Sequence, residues 1–102
     1  MAVLYVTEFA HLAYDASGLA AVAQQPPLNE QTVAIGATSV AIAVPFNMAT
    51  GYVRLHSDVV CSVEFGSAPV ATAAKARMAA NQTEYHAVPR GSGWSVAVIT
   101  NS

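Results

Sequence analysis

Charged residues are scarce in this chain of 102 residues. Lys and Arg together number four and Asp and Glu six, so charged side chains make up 10%, against about 25% in an ordinary soluble domain. The four basic residues, Arg54, Lys75, Arg77 and Arg90, are scattered and too few to neutralise the phosphates of a nucleic-acid site. We therefore expect no nucleic-acid partner. A surface covered largely by Ala, Ser, Thr and small apolar groups suits contact with other proteins.

Cysteine is almost missing. The single cysteine, Cys61, excludes an internal disulfide framework and a cysteine-based zinc site. Cys61 falls on the same alternating face as Val63 and Phe65, where a free thiol packs as a small hydrophobe. The alternative is a reactive thiol, but no pattern in the sequence predicts the lowered thiol pKa that reactivity needs.

Long apolar runs are also missing. No run reaches the ~18 residues of a membrane-spanning helix, because Gly36, Thr38 and Ser39 interrupt the best candidate. A basic segment followed by an unbroken apolar one, as in a signal peptide, does not occur at the N-terminus. We expect no membrane partner, and a protein that stays in the compartment where it is made. Residues 1–102 are predicted to form one domain, since half of this length is near the lower limit for independent stability.

Alternation of apolar and polar residues is what the sequence does contain, most clearly over residues 52–66. Val53 and Leu55 form one side of a first run, and alternate residues from Val59 to Phe65 form one side of a second. Period two is typical of strands. Ser57 and Asp58 are good turn formers, which predicts a hairpin, although one long bent strand would give the same pattern.

Similar patterns predict further short strands. Residues 31–35 and 40–44 are predicted to form a hairpin with Val40, Ile42 and Val44 on one face. Residues 19–24 favour a strand over an Ala-rich helical turn, and residues 67–82 favour a loop followed by a strand over a helix at 71–80. Residues 15–18 resemble a type I turn. The predicted strands outside 52–66 are 3–9 (buried on both faces), 19–24, 31–35, 40–44, 75–80 (Ala76, Met78 and Ala80 inward, Arg77 outward), 83–88 and 94–100.

Together these segments make about eight short strands with turn signals every eight to twelve residues. That spacing predicts an all-β protein, an antiparallel β-sandwich or a barrel. We expect the sandwich in a jelly-roll-like arrangement, although alternation does not determine the strand order.

Two pairs of polar residues have a spacing that could carry chemistry. His56 and Asp58, like Glu84 and His86, are two residues apart and could share one face of a strand. His56, Glu84 and His86 on adjacent strands could hold a metal, but no further ligand is specified. A surface ladder of polar side chains explains the pairs better. No nucleophile motif is present, so we expect neither an enzyme nor a metal or other cofactor.

Aromatic residues offer another possible site. Trp94, Tyr52, Tyr85 and Phe46 could form a platform for sugars, because aromatic rings combine apolar faces with polar edges. The simpler interpretation is that Trp94 covers one end of the core and that some tyrosines lie at subunit contacts.

Three segments, in this order, carry a family resemblance: LYVTEFAHLAYDASG, YVRLHSDVVCSVEFGSAP and MAANQTEYHAVPRGSGWSVAVIT. Through them the chain resembles a family of small head proteins of tailed bacteriophages. The resemblance implies a capsid cement or decoration protein without catalytic residues. Such a protein binds the major capsid protein on the outside of the head and ties neighbouring subunits together.

The resemblance also implies a location. The protein would be made in the host cytoplasm and end on the capsid exterior of the virion, as a homo-oligomer for which we expect a cyclic trimer. Two other functions stay open: a virion module that binds host-surface carbohydrate, and a head–tail or tail component.

Overall fold

The computed structural model describes residues 2–10, 12–15, 18–23 and 27–101, with residues 12–15 and 18–23 described as backbone. Over these ranges the chain forms strands and no helix. The ten strands are β1 Val3–Phe9, β2 Leu12–Asp15, β3 Gly18–Ala23, β4 Asn29–Ala34, β5 Val40–Ala41, β6 Tyr52–Ser57, β7 Cys61–Gly66, β8 Ala76–Met78, β9 Thr83–Ala87 and β10 Ser95–Thr100.

Eight of these strands form two antiparallel sheets of four. The first sheet has the order β4-β1-β6-β9 and the second the order β5-β10-β7-β8, while β2 and β3 pair with each other. The chain crosses between the two sheets in five connections, from β4 to β5, β5 to β6, β6 to β7, β8 to β9 and β9 to β10. Crossing of this kind is typical of jelly rolls, so the predicted all-β sandwich is confirmed.

The core lies between the sheets. On β1 the residues Leu4 and Val6 point inward and are buried, as are Val53 and Leu55 on β6. Tyr5 points the other way and is 43% exposed, so the prediction that this strand is buried on both faces is wrong. The cluster of buried apolar residues is Leu4, Val6, Val33, Ile35, Ile42, Phe46, Val53, Leu55, Cys61, Val63, Met78, Val88, Val96 and Val98.

The hairpin predicted within residues 52–66 does not form, although both of its strands do. β6 pairs with β1 and β9 in the first sheet, whereas β7 pairs with β10 and β8 in the second. Alternation only tells which side of a strand is buried. Two strands that face each other across a core bury their sides in the same alternating way as two paired strands. The chain therefore crosses the sandwich at Ser57–Val60.

The hairpin predicted for residues 31–35 and 40–44 is wrong for the same reason. β4 pairs with β1, and the second segment is reduced to the two-residue β5, which pairs with β10. Of Val40, Ile42 and Val44, only Ile42 is buried. The side-chain amide of Gln31 donates to the Val44 carbonyl (2.9 Å) and accepts from the Val44 N–H (3.3 Å), so an amide side chain joins the two sheets at this edge.

The segment between β7 and β8 is a loop over the outer face of the second sheet, as predicted over the helical alternative. The Ala71 N–H donates to Ser39 Oγ at 2.8 Å, and the Asn101 side chain donates to Ser62 Oγ at 2.7 Å and to the Ala73 carbonyl at 3.2 Å. Lys75 Nζ lies 2.9 Å from Glu64 Oε2 and lowers the pKa of the Glu64 carboxyl.

The strand after this loop is shorter than expected. Met78 is buried and Arg77 is exposed, as predicted, but Ala76 and Ala80 are exposed rather than inward. Because β8 has three residues at the edge of its sheet, only Met78 reaches the core.

Near the N-terminus, β2 and β3 confirm a strand over the Ala-rich helical turn. Asp15 pairs with Gly18, so the chain reverses where the sequence predicted it. The predicted strand extends to residue 24, which lies outside the described residues.

Candidate functional site

The polar residues proposed as a site divide between the two faces of the first sheet. His86 Nε2 lies 3.1 Å from Glu84 Oε1, and the Gln82 amide donates to Glu84 Oε2 at 2.7 Å. His56 instead hydrogen-bonds to Thr83 Oγ1 through Nδ1 at 2.8 Å. Thr83 and Glu84 are consecutive on β9 and so point to opposite faces. The contact between Glu84 and His86 is confirmed, and His56 lies on the other face.

This division leaves no basis for the metal site considered from the sequence. Over the ranges that the structure describes, no group of three or more His, Cys, Asp and Glu side chains could hold a metal ion. His86 lies with its ring 5.1 Å from that of Phe65, at the rim between the sheets. Glu84, His86 and Gln82 therefore act as a local hydrogen-bonded group along the edge strand β9.

Cys61 is fully buried, as expected for packing. Its thiol donates to Ser57 Oγ at 3.3 Å, and this hydroxyl also accepts from the Val59 N–H at 3.3 Å. Burial raises the pKa of the Cys61 thiol, and the hydrogen bond with Ser57 lowers it to a smaller extent. The thiol thus helps to fix the crossing between β6 and β7, and a raised pKa disfavours the reactive thiolate.

We expect the Cys61 thiol to resist alkylation in the folded protein. With iodoacetamide at pH 8, labelling should be at least about 100-fold slower than in urea, because the thiol reacts only when the structure opens. Mass spectrometry against time measures both rates. A Ser67→Cys substitution in a Cys61→Ala background is the control, since Ser67 is exposed. Equal rates for the two cysteines in the folded proteins would contradict burial.

The aromatic platform considered as an alternative from the sequence is not assembled. Phe46 is 4% exposed in the core and Tyr52 is 8% exposed, so neither ring is open to a sugar. The Tyr52 hydroxyl is buried and has no hydrogen-bond partner among the described residues, and burial raises its pKa. Trp94 is partly buried and packs against the core, as predicted, while Tyr85 stays 56% exposed.

An apolar edge follows the side of the sandwich where β4 and β5 lie. Its members are large apolar side chains that are between 39% and 65% exposed: Leu28, Val40, Val44, Met48 and Val70. Leu28 directly precedes β4, Gln31 on β4 binds the Val44 backbone, and Ser39, the neighbour of Val40, accepts from the N–H of Ala71, which follows Val70. Met48 lies in the connection from β5 to β6, where its carbonyl accepts from the Gly91 N–H at 2.9 Å. We call these five residues the apolar edge.

The stretch of sequence that contains Val40, Val44 and Met48 lacks the charges that usually protect such a surface. Residues 31–53 contain no Lys, Arg, Asp, Glu or His. Edge strands of soluble proteins are commonly protected by charged side chains, particularly Lys. Contiguous exposed apolar side chains often mark an interaction surface. This arrangement can bury apolar area against a protein partner.

The outer face of the first sheet is different, with exposed rings beside charged groups. Thr7 on β1 is opposite Glu30 on β4 and Arg54 on β6, and Arg54 is opposite Tyr85 on β9. Tyr5 lies on the same face, two residues before Thr7. We call Tyr5, Thr7, Glu30, Arg54 and Tyr85 the tyrosine face.

Glu8 is a structurally important residue that the sequence did not single out. Its side chain is fully buried. Oε1 accepts from the Asn47 N–H at 2.7 Å and from Thr50 Oγ1 at 2.8 Å, and Oε2 accepts from Asn29 Nδ2 at 3.1 Å. The carboxylate joins β1, the start of β4 and the connection before β6. The only sequence signal for this role of Glu8 is that a charged residue occupies an inward position of a strand.

Comparison with known proteins adds no relative: no family model, curated protein or solved structure matches the chain. Among the residues that the structure describes, there is no helix with the length and apolar character needed to span a membrane.

Proposed function

We propose that this protein is a structural virion protein, a capsid decoration protein that binds the major capsid protein through its apolar edge. The observation that carries the proposal is the set of exposed apolar side chains on β5 and in the neighbouring loops, together with the absence of charge from residues 31–53. The resemblance of the three sequence segments to small phage head proteins supports the choice of partner. The site would lie on the outside of the capsid.

The proposed mechanism is mechanical. Each decoration protein buries its apolar edge on two neighbouring capsid subunits and so resists their separation. Full burial of one Val, Leu or Met side chain contributes about 1.5 to 3 kcal/mol, and half-exposed side chains gain part of that. The stabilising effects of many copies on one shell add, because every bound copy limits the movement of the subunits it joins. Association into a cyclic trimer would multiply the contacts further.

Particles assembled without the protein provide the direct test. They should release their DNA at a lower temperature than complete particles, measured by the fluorescence of a DNA-binding dye during heating, and purified protein should restore the difference. Equal release temperatures would overturn the cement function. Electron microscopy of labelled particles separates the head–tail alternative, since a decoration protein covers the head and a connector lies at one vertex.

Two substitutions test the apolar edge itself. Val44→Glu and Met48→Glu place a charge where an apolar contact is proposed, and each should weaken binding to undecorated particles at least about tenfold, which corresponds to 1.4 kcal/mol. Both side chains are exposed, so the isolated proteins should remain folded. Cosedimentation over a range of protein concentrations measures the binding.

The control is Ala80→Glu, which adds the same charge at an exposed position between β8 and β9, away from the apolar edge. It should bind particles like the unsubstituted protein. If Val44→Glu and Met48→Glu also bind normally, another surface contacts the capsid.

A further inference from the structure

We infer that the tyrosine face is a binding site for neutral oligosaccharides, separate from the apolar edge. The face combines two exposed aromatic rings with a guanidinium, a carboxylate and a hydroxyl on one open side of the first sheet. Aromatic rings contact the apolar faces of sugars, while charged and hydroxyl groups bind the sugar hydroxyls. Of the four aromatic residues considered from the sequence as a sugar platform, this set includes only Tyr85.

Each of the two rings is held by a neighbour. The ring of Tyr5 lies 6.1 Å from that of His56, and His56 is fixed by its 2.8 Å hydrogen bond to Thr83. The ring of Tyr85 lies 6.1 Å from that of Tyr52, which stacks on Phe9 at 5.5 Å. A binding surface whose side chains are already ordered loses less entropy when a ligand binds.

The strand register sets the spacing of the rings. Tyr5 is opposite His56 on β6, whereas Tyr85 is opposite Arg54, two residues earlier on the same strand. The two tyrosines are therefore separated by two strand spacings across the sheet and two residues along it, roughly 12 Å between Cα atoms. One pyranose ring cannot cover both. The face fits an oligosaccharide that stacks one sugar on each tyrosine.

Polar groups lie between and beside the rings. A depression of about 320 Å³ opens here, lined by residues that include Tyr5, Thr7, Glu30, Thr32 and Arg54. The ion pairs among the described side chains are Lys75–Glu64 and His86–Glu84, so neither Arg54 nor Glu30 is neutralised by one. Arg54 can donate to neighbouring sugar hydroxyls, and Glu30 and Thr7 can accept from others.

The balance of charge selects the class of sugar. One guanidinium and one carboxylate face the depression, so a strongly acidic sugar would be attracted by Arg54 and repelled by Glu30. A neutral sugar uses both groups as hydrogen-bond partners. The mixture of rings and polar groups also differs from the apolar edge, whose five residues carry no hydrogen-bonding side chain.

A glycan array of neutral and acidic oligosaccharides, probed with the purified protein, tests the inference. We expect binding to at least one neutral oligosaccharide of two or more units and none to the corresponding monosaccharides. In a titration with the best-bound glycan, the NMR signals of Tyr5, Thr7, Arg54 and Tyr85 should shift. Binding restricted to acidic glycans, binding to none, or shifts confined to other regions would each overturn the inference.

Substitutions locate the contacts. Tyr5→Leu and Tyr85→Leu keep an apolar side chain suited to the strand but remove the ring, and each should weaken binding at least about tenfold. Tyr5→Phe keeps the ring and should bind within about threefold of the unsubstituted protein. Met48→Glu, on the apolar edge, should leave glycan binding unchanged. Normal binding by both Leu variants would overturn the assignment of the site, whatever the particle assays show.

Discussion

Replacing Glu8 by alanine should remove a large part of the stability of this protein. The substitution deletes the common acceptor of the Asn47 N–H, the Thr50 hydroxyl and the Asn29 amide, in a position that is fully buried. Each buried donor left without a partner costs about 1 to 3 kcal/mol, and some of these donors can turn to water. We expect a loss of about 3 to 5 kcal/mol, measured by urea unfolding, out of the 5 to 15 typical of a whole domain.

The Glu8→Gln variant separates the lost hydrogen bonds from the lost charge. Its amide oxygen can still accept from Asn47 and Thr50, and Asn29 can turn its own amide to present an oxygen to the new NH2 group. The loss should then be about 1 kcal/mol. If Glu8→Ala is no less stable than Glu8→Gln, the carboxylate does not join the elements around it as described.

Replacing Gly51 by alanine should have the second large effect. A Cβ added at Gly51 would overlap the Ala10 carbonyl and lie 2.7 Å from Arg90 Nη2. The Ala10 carbonyl belongs to the backbone and cannot move freely, because the carbonyl of the preceding residue, Phe9, accepts from the Gly51 N–H at 2.8 Å. Arg90, which donates to the carbonyls of Ala10 and Ala49, would also have to shift its exposed guanidinium. We expect a loss of about 3 kcal/mol, because forcing atoms into a packed site shifts the backbone.

Two other glycines provide matched controls. A Cβ at Gly36 or at Gly66 would meet nothing within 4 Å, and neither glycine has a positive φ. Gly36→Ala and Gly66→Ala should stay within about 0.5 kcal/mol of the unsubstituted protein. Thermal unfolding of the three alanine variants side by side checks this order. A Gly51→Ala variant as stable as these two would show that the contact with Ala10 and Arg90 is dispensable.

The sequence predicts strands well here because alternation depends only on which side of a strand is buried. The segment at residues 3–9 is found where it was expected, and those at 83–88 and 94–100 shorten by one residue. The alternation does not determine which strands pair. Ser57 and Asp58 are good turn formers, yet a turn between paired strands and a crossing between facing sheets use the same kinds of residue. Both predicted hairpins are wrong because the two strands of each lie in different sheets.

The candidate sites were partly predictable. Glu84 and His86 make contact because residues two apart on one strand share a face. The separation of His56 from that pair depends on which residue of β9 lies opposite it, and only the register gives that. Glu8 and Tyr5 owe their environments to strands far away in the chain. The inward position of Glu8 on its strand is a local signal, but no local pattern identifies Asn47 and Thr50 as its partners.

The five crossings between the sheets bear on how the protein folds. β1 pairs with β6 and β10 pairs with β7, so the central pairings of both sheets join segments that are far apart in the sequence. Domains dominated by such pairings fold in about milliseconds to seconds, slower than helical bundles of similar size. Until β6 and β7 both find their partners, the apolar edge has no fixed form. We therefore expect this chain to fold slowly for its length.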